Sequence, residues 1–219
     1  MMSELALDHS ALMDKVYRRQ RHIYDLTRAW YLLGRNRMLA GLKPKDGTSV
    51  LEIGCGTGRN LVAAARGYPR AYIYGMDISS EMLVSARAAV RKTNLHQRIS
   101  MAQGDAVTFD PLRTFGELNI ARIFMSYTLS MIPDWQGTLA QAMSNLGPQG
   151  ELHIVDFGQS ERLPRVFRHV LFKWLSLFHV KPRENLLVVL TTLAEEHNAE
   201  LTFMPLYRGY AWSAVIRKR

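Results

Sequence analysis

Val50-Leu51-Glu52-Ile53-Gly54-Cys55-Gly56-Thr57-Gly58 is the stretch that decides the fold. A short apolar run containing one acid is followed by a turn with glycine at every second position. Glycine adopts backbone angles that other residues avoid and keeps side chains out of the way where the main chain approaches a ligand. The reading is a buried strand, Ser49 to Ile53, feeding a ligand-binding turn and then a helix over Asn60 to Arg66.

Apolar runs and helical patterns alternate onward from this turn. Further strands are expected over Ala71 to Met76, Ile99 to Gln103, Ile120 to Ser126 and Glu151 to Phe157, the last following the turn residues Gly147, Pro148 and Gly150. Helices are expected over Ser80 to Lys92, capped by Ser79 or Ser80, and over Trp135 to Leu146. The segment Glu200 to Arg217 holds two β-rich runs around Arg208-Gly209 and reads as a hairpin. Such alternation implies an α/β, Rossmann-like, doubly wound sheet, mostly parallel and seven-stranded, with a C-terminal β-hairpin and an N-terminal helical extension. Ligands on such sheets bind outside the carboxyl ends of the strands.

Two further signals stand at those ends. Tyr74-Gly75-Met76-Asp77 places a carboxylate after the second strand, where it can accept both hydroxyls of a ribose. Gln103-Gly104-Asp105-Ala106 places another after the third, suited to an adenine amino group with the Ala106 backbone beside the ring. Capping a helix is the simpler role for either acid. A nicotinamide fingerprint would need a third glycine where Arg59 stands.

The pattern over Lys45 to Phe157, with Leu146-Gly147-Pro148-Gln149-Gly150 before the fifth strand, resembles the class I S-adenosylmethionine-dependent methyltransferases. The resemblance implies S-adenosyl-L-methionine as cofactor and S-adenosyl-L-homocysteine as product. Its cofactor-binding candidates are Glu52, Gly54, Gly56, Gly58, Asp77, Ile78, Met82, Asp105, Ala106 and Ser126. Met82 serves equally well as a core residue, and Cys55 reads as a small buried turn residue rather than a nucleophile.

Asp14 to about Leu42 reads as helical and ends at Gly41 and Pro44. Its core is Tyr17-Arg18-Arg19-Gln20-Arg21-His22-Ile23-Tyr24-Asp25-Leu26-Thr27-Arg28, followed by Trp30-Tyr31-Leu32-Leu33-Gly34-Arg35. Arginine mixed with tyrosine and tryptophan suits a lid that stacks on a ligand and reaches anionic groups. This stretch resembles the bacterial betaine-lipid methyltransferases, which methylate the amine of diacylglycerylhomoserine to the trimethylated lipid. The resemblance divides the chain into a lid and substrate extension over 1–44 and a methyltransferase domain over 45–219. Tyr17, Arg28 and Arg35 become substrate-binding candidates, the arginines for the substrate carboxylate.

The chain has 219 residues, 47% of them hydrophobic and 21% charged, enough for one large α/β domain and too few for two. Its net charge of +9 is concentrated in two segments. Asp14 to Lys43 carries eight Lys/Arg against two acids, and Glu161 to Arg183 carries six against one. The second forms a basic amphipathic insertion at about 161–183: Arg165, Arg168, His169, Lys173 and Ser176 recur at helical spacing, with Val166, Phe167, Val170, Leu171, Trp174 and Leu175 on other faces. Such patches suit anionic partners, and no nucleic-acid module accompanies the charge.

With Cys55 the only cysteine, neither an internal disulfide nor a thiolate zinc cluster is expected, and no metal site is read. The N-terminal Met1-Met2-Ser3-Glu4 lacks a secretory pattern, and no run approaches the ~20 apolar residues of a spanning helix. The expectation is a cytoplasmic protein held peripherally at the inner face of the membrane, with a lipid substrate and no obligate protein partner.

Methyl transfer to an amine needs a neutral nitrogen in line with the sulfonium. An α-amino group of pKa near 8 costs about 1.4 kcal/mol to deprotonate at neutral pH, whereas alignment contributes on the order of 7–11 kcal/mol. Positioning should therefore dominate, with Tyr24, Tyr127 and His153 the candidates to orient the amine or take its proton. Two alternatives stand beside this reading: a phosphatidylethanolamine N-methyltransferase, and a membrane-associated protein that binds the cofactor without catalysis.

Overall fold

A computed structural model describes residues 32–219. Seven strands form one sheet in the order β3-β2-β1-β4-β5-β7-β6. They are β1 Ser49–Ile53, β2 Tyr72–Asp77, β3 Ile99–Gln103, β4 Ile120–Ser126, β5 Leu146–Phe157, β6 Ala199–Leu206 and β7 Ala211–Lys218. The first five are mutually parallel, and β7 runs antiparallel between β5 and β6. The expected Rossmann-like architecture with its C-terminal hairpin is the one observed.

The central strands are buried on both faces, and alternate residues feed two cores. Leu51, Ile53, Ile123, Met125, Leu152 and Ile154 face α5 (Trp135–Ser144) and α7 (Leu186–Glu196). Val50, Ile73, Phe124 and Val155 face α1 (Arg35–Gly41), α2 (Arg59–Gly67) and α3 (Ser80–Arg91). A short α4 (Pro111–Phe115) starts from the cap Asp110, and α6 (Arg165–Ser176) follows β5. The expected cap is present: the Ser79 side chain accepts a hydrogen bond from the Met82 N–H at 3.2 Å.

Three expectations change. The continuous helix over Asp14 to Leu42 is interrupted within its described part, because Gly34 adopts φ +85 and starts α1 only at Arg35. An added methyl at Gly34 would meet the Leu206 side chain at 2.8 Å, so the break also serves close packing. Leu146 to Gly150, read as a turn before the strand, lies inside β5, where the register against β4 jumps between Leu146 and Glu151 and Gln149 adopts φ +56, so the turn survives as a bulge within the strand. Helix α7 was not anticipated, because Leu186-Leu187-Val188-Val189-Leu190 has strand-like composition and no side-chain cap at Asn185. The described end of the N-terminal stretch is part of the domain core, with Met38, Leu39 and Leu42 buried.

Candidate functional site

The first glycine turn is shaped by its own chain. Gly54 and Cys55 both donate their N–H to the Met76 carbonyl at 2.9 Å, tying the turn to the end of β2. Gly54 has φ +73, and a methyl there would lie 2.3 Å from the Thr128 side chain. Gly58, at φ +76, caps α2 and lies against Ala86, where a methyl would sit at 3.0 Å. Its requirement is helix packing rather than ligand contact. Gly56 has the ligand-side role: its N–H donates to Asp77 Oδ2 at 2.7 Å. The other oxygen, Asp77 Oδ1, accepts from the Ser79 N–H at 2.9 Å. A carboxylate accepts at about four sites, which lets one group hold the loop and meet a ribose diol.

A cleft opens at these strand ends, where ligands of parallel α/β sheets bind. Gly54, Gly56, Asp77, Ile78, Asp105 and Ala106 line it, as expected for an adenosine. Asp105 Oδ1 accepts from the Val107 N–H at 3.0 Å, which orients its carboxylate. Ile53, Met76, Gly104, Thr128, Met131 and Ile132 complete the wall. Ile53, Met76 and Gly104 stand within the quoted motifs, but the sequence signalled none of Thr128, Met131 and Ile132, since the loop after β4 has no periodicity to read.

A second cavity shares Gly54 and Gly56 with the first and is lined by Arg35, Glu52, Asn60 and Ser126. Glu52 is fully buried, and its Oε1 accepts from Asn60 Nδ2 at 2.7 Å. Asn60 Oδ1 and Ser126 Oγ are buried with no hydrogen-bond partner among the described residues. Buried polar atoms without partners mark a place for a polar ligand. The residues present fit S-adenosylmethionine: Asn60 and Glu52 offer acceptors for an α-ammonium, Ser126 and Arg35 donors for an α-carboxylate. Asp77 and Asp105 take the nucleoside end. Arg35, expected at the substrate carboxylate, lines this cavity with Glu52, Asn60 and Ser126.

Cys55 is buried, and its thiol is pushed well up, first by burial and then by Asp77 and Glu52. Met82 is buried among Ile78, Met131 and Phe178, the core role rather than an adenine cover. Tyr127 lines the cleft with φ +57, but its hydroxyl donates to the Leu33 carbonyl. Its ring packs against Phe157 at 4.6 Å between centroids. Burial, with Tyr210 and Asp156 nearby, raises its pKa far above the ordinary tyrosine value. Its role is to fasten the segment before α1 over the cleft.

His153 is not at the cleft. It pairs in register with Phe124 and Val215 in mid-sheet, and its Nε2 lies 2.8 Å from Glu151 Oε2. Glu151 also meets the exposed Arg217 at Nε, 2.6 Å away, and the largely buried Arg122 at Nε, 3.4 Å away, centring a charge cluster on its own buried carboxylate. A strand-five histidine is legible from sequence, but not the carboxylate that turns it away from the chemistry. Asp156, unsignalled, accepts from the Ser130 N–H at 3.1 Å and the Phe157 N–H at 2.7 Å, and burial raises its pKa. Tyr17, Tyr24 and Arg28 lie outside the described residues. Among the described residues there is no metal-binding group of His, Cys, Asp or Glu, and no helix is long and apolar enough to cross a membrane.

A family model described as a methyltransferase domain matches residues 44–196. The demethylmenaquinone methyltransferase of Lactobacillus johnsonii is 28% identical over 126 residues, covering 57% of this chain and 50% of that one. The trans-aconitate 2-methyltransferase of an Azoarcus strain is 29% identical over 117 residues, 53% of this chain and 42% of its own. The chain spans about half the length of the curated relatives it matches. Among solved structures, Haemonchus contortus phosphoethanolamine N-methyltransferase 2, in complex with phosphomonomethylethanolamine and S-adenosylhomocysteine, superimposes with a TM-score of 0.73. That match is 16% identical and covers 100% of this chain and 60% of the other.

Proposed function

The chain belongs to the methyltransferase-domain family, and we propose that within it the protein is an S-adenosylmethionine-dependent N-methyltransferase acting on the amine of diacylglycerylhomoserine. The observation that carries the methyl-transfer reading is the pair of joined cavities at the strand ends. One holds Asp77 and Asp105; the other gathers Arg35, Glu52, Asn60 and Ser126 around buried, unsatisfied polar atoms. A lone cofactor binder needs the same cavities, so catalysis is what the experiment must show.

When bound, the cofactor would supply an electrophilic methyl group on a sulfonium, with the neutral sulfide S-adenosylhomocysteine as the leaving group. The chain's part is placement. Asp77 and Asp105 would hold the nucleoside end, and the Glu52–Asn60 pair would hold the amino-acid end. Neither Tyr127 nor His153 takes the amine proton, since one hydroxyl is committed to Leu33 and the imidazole faces Glu151. The ~1.4 kcal/mol cost of a neutral amine near pH 7 is small against the contribution of alignment, so the proton can leave to water.

The homoserine headgroup rests on the resemblance of Tyr17 to Arg35, and the lipid character on the exposed apolar and basic helix α6. Demethylmenaquinone methyltransferases among the relatives favour a second reading, an apolar quinone-like acceptor. Purified protein with radiolabelled S-adenosylmethionine, offered vesicles of diacylglycerylhomoserine, phosphatidylethanolamine or demethylmenaquinone, separates these. Label in mono-, di- and trimethylated homoserine lipid alone is the expected result. Label only in one of the other two reassigns the acceptor, and label in none overturns the lipid reading.

A further inference from the structure

Helix α6 exposes apolar side chains. At about 100° per residue, Val166, Val170 and Leu177 fall within about 40° of one another and roughly opposite Leu175, the helix's buried contact with the body. They are 77%, 61% and 68% exposed, and Phe167 at their border is 47% exposed. The inward side is already occupied: Leu171, Phe172, Trp174 and Phe178 pack on the core facing α1–α3. Among the described residues, none of Val166, Val170 and Leu177 belongs to a hydrophobic cluster.

The surroundings of the stripe select what would cover it. Arg165, His169 and Lys173 flank it on one side, all exposed, with Arg168 beyond them over the Phe172 ring at 5.4 Å. Glu161 is the single acid from there to Arg183, and its Oε1 accepts from Trp212 Nε1. A protein partner or second copy would need matching acids; a sheet of anionic lipid headgroups over hydrocarbon meets both the cations and the apolar stripe.

Position ties this surface to the cleft. Phe178, just past α6, packs with Ile78 and Met131, which line the cleft wall. The Lys181 N–H donates to the Ser130 carbonyl at 2.8 Å, and Arg183 Nε to the Leu129 carbonyl at 3.0 Å, fastening the segment after α6 along the loop after β4. We infer that α6 is a membrane-docking helix that seats Val166, Phe167, Val170 and Leu177 in an anionic lipid surface and so holds the cleft at the bilayer. The inference deepens the lipid-acceptor reading and rests on it for its purpose, though docking is measurable without catalysis.

The test is flotation of the full chain with vesicles of phosphatidylcholine alone or mixed with phosphatidylglycerol, at low and high salt. Wild type should float with the anionic vesicles, weaken with salt, and bind phosphatidylcholine poorly. V166S/V170S should weaken partition about tenfold or more, from the lost apolar burial. R165Q/K173Q should weaken it about 25-fold, at about fivefold per cation. Both variants should bind S-adenosylhomocysteine as wild type does, which reports intact folding. Variants that float as wild type, or a wild type that does not float, overturn the docking helix. A change of sedimentation coefficient in V166S/V170S with unchanged flotation reassigns the stripe to self-association. Lipid methylation is scored separately on detergent-dispersed acceptor, so docking without methyl transfer fails the function and keeps the helix, while methyl transfer with undisturbed flotation does the reverse.

Discussion

Gly54 and Asp77 hold the cleft together, and each makes a separate prediction. Gly54 has both a left-handed backbone and a side chain, Thr128, inside the space a methyl would need. Gly54→Ala should cost about 2–3 kcal/mol, from strain and displacement together. For a chain of this size that is a fall in Tm of roughly 5–10 °C in thermal unfolding; an unchanged Tm would remove the packing argument. Asp77→Ala takes away the acceptor for the Gly56 and Ser79 N–H groups as well as the ribose contact. Calorimetry should show affinity for S-adenosylhomocysteine reduced about tenfold or more, and equal affinity would dismiss the ribose assignment. Asp77 was legible because its distance from the glycine turn fixes its place in a βαβ unit. Thr128 was not, because nothing local to it records that its side chain abuts Gly54. Tyr127 and His153 show the same limit: the residue types suit proton transfer, but Leu33 and Glu151 decide what they do.

Strand β5 carries the clearest pH effect. Glu151 is 9% exposed, and its carboxyl is lowered to about 2, first by the His153 hydrogen bond and then by Arg217 and Arg122. A folded value below the ordinary one adds stability that is fully present above about pH 4.5 and is lost as pH falls through about 2. Glu151→Gln should cost about 2 kcal/mol near neutral pH, discounting the exposed Arg217, and should flatten the stability profile across that acid window. Urea titrations at several pH values measure this, and parallel profiles for the two proteins would show the cluster to be neutral. Elements were legible for different reasons. Edge strand β3, mostly not buried, is bounded by the helix before it and the Gly104-Asp105 turn after it. Strands β1 and β4 match their expected limits because burial on both faces makes them largely apolar runs. Helix α7 has the same composition and became a helix through its packing under β6, which local sequence does not encode. The break at Gly34 depends on Leu206 in the same way.

The cleft draws on four strand ends, so ligand and fold are thermodynamically linked throughout the molecule. S-adenosylhomocysteine at about a hundred times its Kd adds about 2.7 kcal/mol, a rise in Tm of roughly 5–10 °C for the wild type. Asp77→Ala should flatten that rise, and a wild type that does not shift would deny the cleft its cofactor. The fold class was readable because a single βα repeat governs the sheet from β1 to β5. The placement of β7 between β5 and β6 has a consequence in time as well as space. On the ribosome β6 emerges before β7, yet every backbone partner of β6 in the sheet belongs to β7. Until β7 is translated, β5 presents its whole Glu151 to Phe157 edge to the surroundings and β6 has nothing to join. The nascent chain thus passes through a stage with an open sheet edge, the moment at which a chaperone would be of most use to it.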